Sequence, residues 1–133
     1  MFGKKSSSGA QARIDSLIGA GTSVEGKIRF SGGLRIDGEV RGSVEAVAGV
    51  SSSTLVLSDQ ARVEGAVTVA HLVLNGTIAG PVCVTDTLEM QPKARIIGDV
   101  SYASIEMHQG AVIEGRLVHV APGVVEPIGE SDN

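Results

Sequence analysis

Six fragments of one pattern recur along the chain, each with an apolar residue two positions before a glycine and another two positions after it. They are Val24-Glu25-Gly26-Lys27-Ile28, Val40-Arg41-Gly42-Ser43-Val44, Val63-Glu64-Gly65-Ala66-Val67, Ile78-Ala79-Gly80-Pro81-Val82, Ile96-Ile97-Gly98-Asp99-Val100 and Ile113-Glu114-Gly115-Arg116-Leu117. Their glycines are spaced 16, 23, 15, 18 and 17 apart, and the long step holds an extra stretch, 46–54, that reads as a loop. Further apolar pairs fall between the fragments: Leu34/Ile36, Leu55/Leu57, Leu72/Leu74, Leu88/Met90 and Ile105/Met107. Three units add an alanine, at 61, 94 and 111. The period within a unit is two, so side chains alternate in and out of short strands, and helical spacing is not sustained.

A coil of about 17 residues cannot bury its apolar face alone, but stacked coils can, each pairing with the next at ~4.8 Å. The repeat therefore predicts an all-β chain folded as a parallel β-helix, a solenoid of about six coils. Composition agrees. Valine and isoleucine together outnumber leucine by more than three to one, as strands favour. The only aromatics are Phe2, Phe30 and Tyr102, so the core must be thin. The 18 glycines suit turns between faces, or places where a side chain would crowd the next coil. Charge shifts at both ends. Residues 1–13 carry Lys4, Lys5 and Arg13 with a Ser6-Ser7-Ser8-Gly9 linker, and 126–133 carry Glu126, Glu130 and Asp132 without a base. The expected organisation is a flexible N-terminal tail (1–13), a β-helical core (14–125) and a disordered acidic tail (126–133).

Several function classes are set aside. A net charge of −4 leaves no basic stripe for nucleic acid, and so few aromatics leave no stacking platform. A lone Cys83 fits a reducing compartment, and neither a signal-peptide core nor an 18-residue apolar run is present, so a bacterial or organellar cytosol is the default. Gly19-Ala20-Gly21 lacks the third glycine of a dinucleotide loop and there is no phosphate loop, so neither nucleotide nor any other cofactor is expected. Counted from the glycine of its own coil, His71 stands at +6, His108 at +10 and His119 at +4, so the histidines do not converge within one chain and no metal set is read from them. Glu25, Glu64 and Glu114 share a column but lie roughly 10 and 14 Å apart by strand spacing, too far for a retaining carboxylate pair. No catalytic residue is expected.

A β-helix has two ends, each with unpaired backbone groups and an apolar cross-section, and solenoids that stay monomeric seal them with a helix or a polar repeat. Here the first coil brings Ile14, Leu17, Ile18, Val24, Ile28 and Phe30, and the last Leu117, Val118, Val120, Val124 and Val125. These residues are expected to form a polymerisation interface, with tails folded over the ends as the plainer alternative. A non-polymerising β-helical binding module and a trimeric hexapeptide-type enzyme are the other readings. Val56, Ala66, Val73, Ala79, Ile97 and Val112 are apolar at out-of-phase positions and, if they share a face, offer a surface for lateral bundling or a partner.

The Met1-Phe2-Gly3-Lys4-Lys5 start, the Ile36-Asp37-Gly38-Glu39-Val40-Arg41-Gly42 segment and the Leu55-Val56-Leu57 … Ala61-Arg62-Val63-Glu64-Gly65 unit resemble the bactofilins, bacterial cytoskeletal proteins. The resemblance covers nearly the whole chain. It implies a right-handed helix and nucleotide-independent end-to-end polymerisation into non-polar filaments. It also implies a scaffold for cell-envelope or peptidoglycan-remodelling proteins at the inner face of the cytoplasmic membrane. Met1, Phe2, Lys4 and Lys5 would supply the membrane contact. One inserted Phe is worth ~1.5–3 kcal/mol and each lysine ~1 kcal/mol, together about millimolar affinity. Membrane binding would thus need the avidity of a filament. The last coil lacks an aromatic residue, so Leu117 and its valine neighbours would carry that end contact.

Overall fold

Among the described residues, alternating apolar positions bounded by glycine-containing bends produce fifteen short strands, β1 to β15 in chain order, and every pairing between them is parallel. The computed structural model describes residues 14–47 and 53–121. The tails 1–13 and 126–133 expected from the sequence, and the ends of the predicted core and loop at 122–125 and 48–52, lie outside the described residues.

The strands form three ladders around one core. The first is β2 (Ser23–Glu25), β5 (Glu39–Arg41), β8 (Arg62–Glu64), β10 (Thr77–Ala79), β12 (Arg95–Ile97) and β14 (Val112–Glu114). The second runs through β3 (Ile28–Phe30), β6 (Val44–Ala46), the first halves of β9 (Val67–Leu74), β11 (Val82–Met90) and β13 (Val100–Met107), and β15 (Leu117–His119). The third joins β1 (Ser16–Ile18), β4 (Gly33–Ile36) and β7 (Thr54–Leu57) to the second halves of β9, β11 and β13. Those three long strands bend at a corner, and Thr85 and Asp86 make the bend of β11 one residue longer than its neighbours'. The result is the predicted parallel solenoid of about six turns.

The inward columns follow the repeat. Val40, Val63, Ile78 and Ile96 stack from the first ladder, Val44, Val67, Val82 and Val100 from the second, and Ile36, Leu57, Leu74 and Met90 from the third, all essentially inaccessible to solvent. Each is worth ~1.5–3 kcal/mol of burial. The alanines of the longer corner loops, Ala61 and Ala94, are buried too, and their small size lets those loops close over the core.

The repeated glycine does two things at once. At Gly80 the backbone has φ +150°, and a Cβ there would run into the Gly65 carbonyl, whose carbon lies 2.7 Å from it. Gly42, Gly65, Gly98 and Gly115 abut the preceding coil's glycine in the same way. The ladder also continues through the bend. The N–H of Gly80 donates to the Ile97 carbonyl and that of Val82 to the Asp99 carbonyl, both at 2.9 Å. Pro81 lies between them at a position whose N–H takes no part in the ladder, so its missing donor is no loss. The long step is absorbed at another corner. Residues 47–53 join β6 to β7, and buried Ser53 secures the return, its Oγ accepting the Ala70 N–H at 3.2 Å and its carbonyl the His71 N–H at 3.0 Å.

Candidate functional site

The ends of the stack differ from its middle within a single column. Val44, Val67, Val82 and Val100 are fully buried, yet Leu117, next in line, is 49 % exposed. Ile28 at the other end is half-buried. Val24 and Ile113 likewise terminate the first-ladder column half-buried, and Met107 ends the third-ladder column 44 % exposed beyond fully buried Met90. Among the described residues, nothing pairs with the outer edges of β1, β2 and β3, nor with those of β14, β15 and the second half of β13. Within the described residues, each end is a section through the hydrophobic core with open hydrogen-bonding positions at its rim.

Of the residues expected to form this surface, Ile14 (43 %), Leu17 (60 %), Leu117 and Val118 are exposed, and Ile18, Val24 and Ile28 are half-buried at the N-terminal end. Phe30 and Val120 are placed differently. Phe30 packs into the core cluster, and Val120 is buried with its N–H donating to the Tyr102 carbonyl. Val124 and Val125, and the membrane residues Met1, Phe2, Lys4 and Lys5, lie outside the described residues. The six out-of-phase apolar residues do not share one face. Val56 and Val73 are paired neighbours on the outside of the third ladder, Ala79, Ile97 and Val112 lie on the first, and Ala66 sits at the glycine bend. Cys83 lies in outward register on the second ladder but is buried, as is its partner on the next coil, Ser101.

The sides of the rod are laced with ion pairs along and between coils. Glu25, Arg41 and Glu64 succeed one another in one first-ladder column, with Arg41 hydrogen-bonded to Glu39 at 3.3 Å and 4.0 Å from Glu25. The Glu39 hydrogen bond and charge, with Glu64 beyond, hold the Arg41 guanidinium even more firmly protonated than usual. Arg62 donates to Glu64 at 2.8 Å and holds that carboxyl below the usual carboxylate range, helped by Arg41. Arg95 pairs with Glu114, Arg116 with Asp99 and Lys93 with Asp59. These pairs are exposed, and they blunt the flanks of the sheets where the ends are left apolar.

The three histidines are spread out, as their spacing implies: His71 on the third ladder, His119 edge-on to Tyr102 in the second with ring centroids 5.6 Å apart, and His108 in the loop after β13. His108 does not meet another histidine but the carboxylates of Glu89 and Glu106, both at 3.4 Å. The signal was present in the spacing, because 17 residues separate the two glutamates, one coil.

Among the described residues the parallel solenoid is open at both ends, with apolar sections there and charged flanks, the architecture of an assembly-forming structural protein. Comparison with known proteins places it further: residues 16–118 match the family described as Bactofilin, polymer-forming cytoskeletal, and the chain belongs to that family. It is 25 % identical over 119 residues to bactofilin BacP of Myxococcus xanthus (strain DK1622), covering 89 % of this chain and 46 % of BacP. To bactofilin BacO of the same organism it is 22 % identical over 103 residues, 77 % of this chain and 78 % of BacO. The chain thus spans less than half the length of BacP. No solved structure matches it significantly. The family is a non-enzymatic, polymer-forming cytoskeletal one, and among the described residues no helix is long and apolar enough to cross a membrane.

Proposed function

We propose that this bactofilin polymerises end to end, without nucleotide, into non-polar filaments that lie on the inner face of the cytoplasmic membrane and position cell-envelope or peptidoglycan-remodelling proteins. The observation that carries the reading is the change along one column, from Val100 fully buried to Leu117 half exposed. In a non-polar filament like ends meet, so each joint buries an apolar section against its own copy and lets the open rim strands of the two copies pair. Ile14, Leu17, Ile18, Val24 and Ile28 supply one such end, and Leu117 and Val118, with Met107 at the end of the third ladder, the other. Membrane contact falls to Met1, Phe2, Lys4 and Lys5, with affinity supplied by many tails on one lattice. Negative-stain electron microscopy of the purified full chain in nucleotide-free buffer tests the reading. Long filaments are expected. Soluble monomers or trimers alone at micromolar concentration would contradict it and favour a non-polymerising binding module.

A further inference from the structure

We propose that Glu89, Glu106 and His108 form a binding site for a borderline divalent cation of the zinc class, at the C-terminal rim of the solenoid. Glu89 on β11 and Glu106 on β13 are direct partners in the third ladder. Like charges placed opposite each other across strands destabilise a sheet. Elsewhere in the described part of the rod most carboxylates meet an arginine or lysine, but the ion pairs of these two are with His108 alone. The donor atoms of the three side chains lie within 4.8 Å of one another.

Two of the three ligand separations match a small tetrahedral ion, and the third closes to within 4.8 Å. Zinc–ligand bonds of ~2.0–2.1 Å put neighbouring ligand atoms roughly 3.3 Å apart, and the imidazole Nε2 stands 3.4 Å from each carboxylate oxygen. One nitrogen and two oxygens suit zinc, nickel or cobalt, and the imidazole disfavours magnesium and calcium, which prefer all-oxygen sets. All three side chains are reached by solvent, with exposures of 34 %, 68 % and 41 %, so an ion can enter and the side chains can close on it. The fourth position is left for water. Glu106 lies on the last strand of its ladder and His108 in the loop that follows. A bound ion therefore ties the outermost coil to the one beneath it, where the rod is least supported.

Calorimetric titration of zinc chloride into the tag-free full chain tests this, with cobalt absorption spectra reporting coordination and thermal unfolding reporting the staple. One equivalent of zinc is expected to bind and raise the unfolding midpoint. His108→Ala and Glu106→Gln should each weaken binding by at least ~10-fold, since even the outer partners of metal ligands are worth 10–100-fold. Both positions are exposed, and circular dichroism establishes that the variants fold. His71→Ala, on the same face beside Asp86, should leave binding unchanged. The Leu117→Arg chain, whose end is altered away from these ligands, should take up zinc equally, so a failure of assembly is read separately from a failure of binding. No zinc uptake, equal uptake by His108→Ala and wild type, displacement of zinc by millimolar magnesium, or loss of uptake in Leu117→Arg would each overturn the assignment.

Discussion

Replacing Gly80 with alanine, and Gly26 with alanine for comparison, separates two demands that the repeated glycine meets. Both residues have positive φ, +150° and +122°. Holding an L-residue there costs ~1–3 kcal/mol. The surroundings differ: a Cβ on Gly80 overlaps the Gly65 backbone, whereas a Cβ on Gly26, in the first coil, meets nothing within 4 Å. Overlap with backbone cannot be relieved by a rotamer change, so the two coils must move apart and loosen the ladder on either side. Overpacking of that kind costs a further ~1–3 kcal/mol. Gly80→Ala is therefore expected to destabilise by about 2–6 kcal/mol and Gly26→Ala by about 1–3 kcal/mol, against a typical total of 5–15 kcal/mol. Guanidinium unfolding followed by circular dichroism, in a Leu117→Arg background that limits assembly, measures the difference. Equal midpoint shifts for the two variants would refute close coil approach as the reason for glycine and leave dihedral strain alone.

Three further outcomes follow from the same structure. Leu117→Arg should be folded but should shift the assembly threshold upward by at least ~100-fold, because the joint loses ~1 kcal/mol of leucine burial and gains an unpaired charge worth several kcal/mol; filaments at unchanged concentration in a pelleting assay would count against end stacking. Deleting residues 2–5 should abolish co-sedimentation with anionic liposomes and spare filament formation, and retained co-sedimentation would remove the tail from the membrane contact. Arg62→Ala should raise the Glu64 pKa toward the ordinary carboxylate value in an NMR titration. Because the Arg62 hydrogen bond depresses that pKa in the folded chain, its contribution is present above the unfolded value and is lost as pH falls through the folded one, so the variant should lose part of its acid-side stability slope. An unmoved Glu64 titration would show that the pair is not formed in solution.

The solenoid was legible because its two signals are local and redundant: the glycine bend, and period-two pairs such as Leu72/Leu74 and Leu88/Met90. The unequal spacings also carried information that only the ladders decode. The 15-residue step has the two-residue corner Asn75-Gly76, and the 18-residue step has a four-residue corner, 91–94, with the Thr85-Asp86 bend. End residues were legible as a set but not one by one. Leu117 and Phe30 look alike as terminal apolar residues, yet Leu117 ends its inward column half exposed while Phe30 packs into the core cluster. The one-coil separation of Glu89 and Glu106 hinted at their pairing, and the register that fixes it depends on the lengths of the corners between them.

The three edges of the rod are unequal. Two residues, such as Gly80-Pro81, make the glycine edge in every coil, while the edge between the second and third ladders ranges from the single residue Ala70 to the stretch 47–53. Variation in chain length is thus concentrated at one corner of the section and kept out of the glycine edge. Any passenger grafted at the Thr85-Asp86 bend would stand out once per protomer, so a filament of such rods, each ~29 Å from six steps of ~4.8 Å, would carry its cargo in a fixed order along its flank, like teeth on a rack.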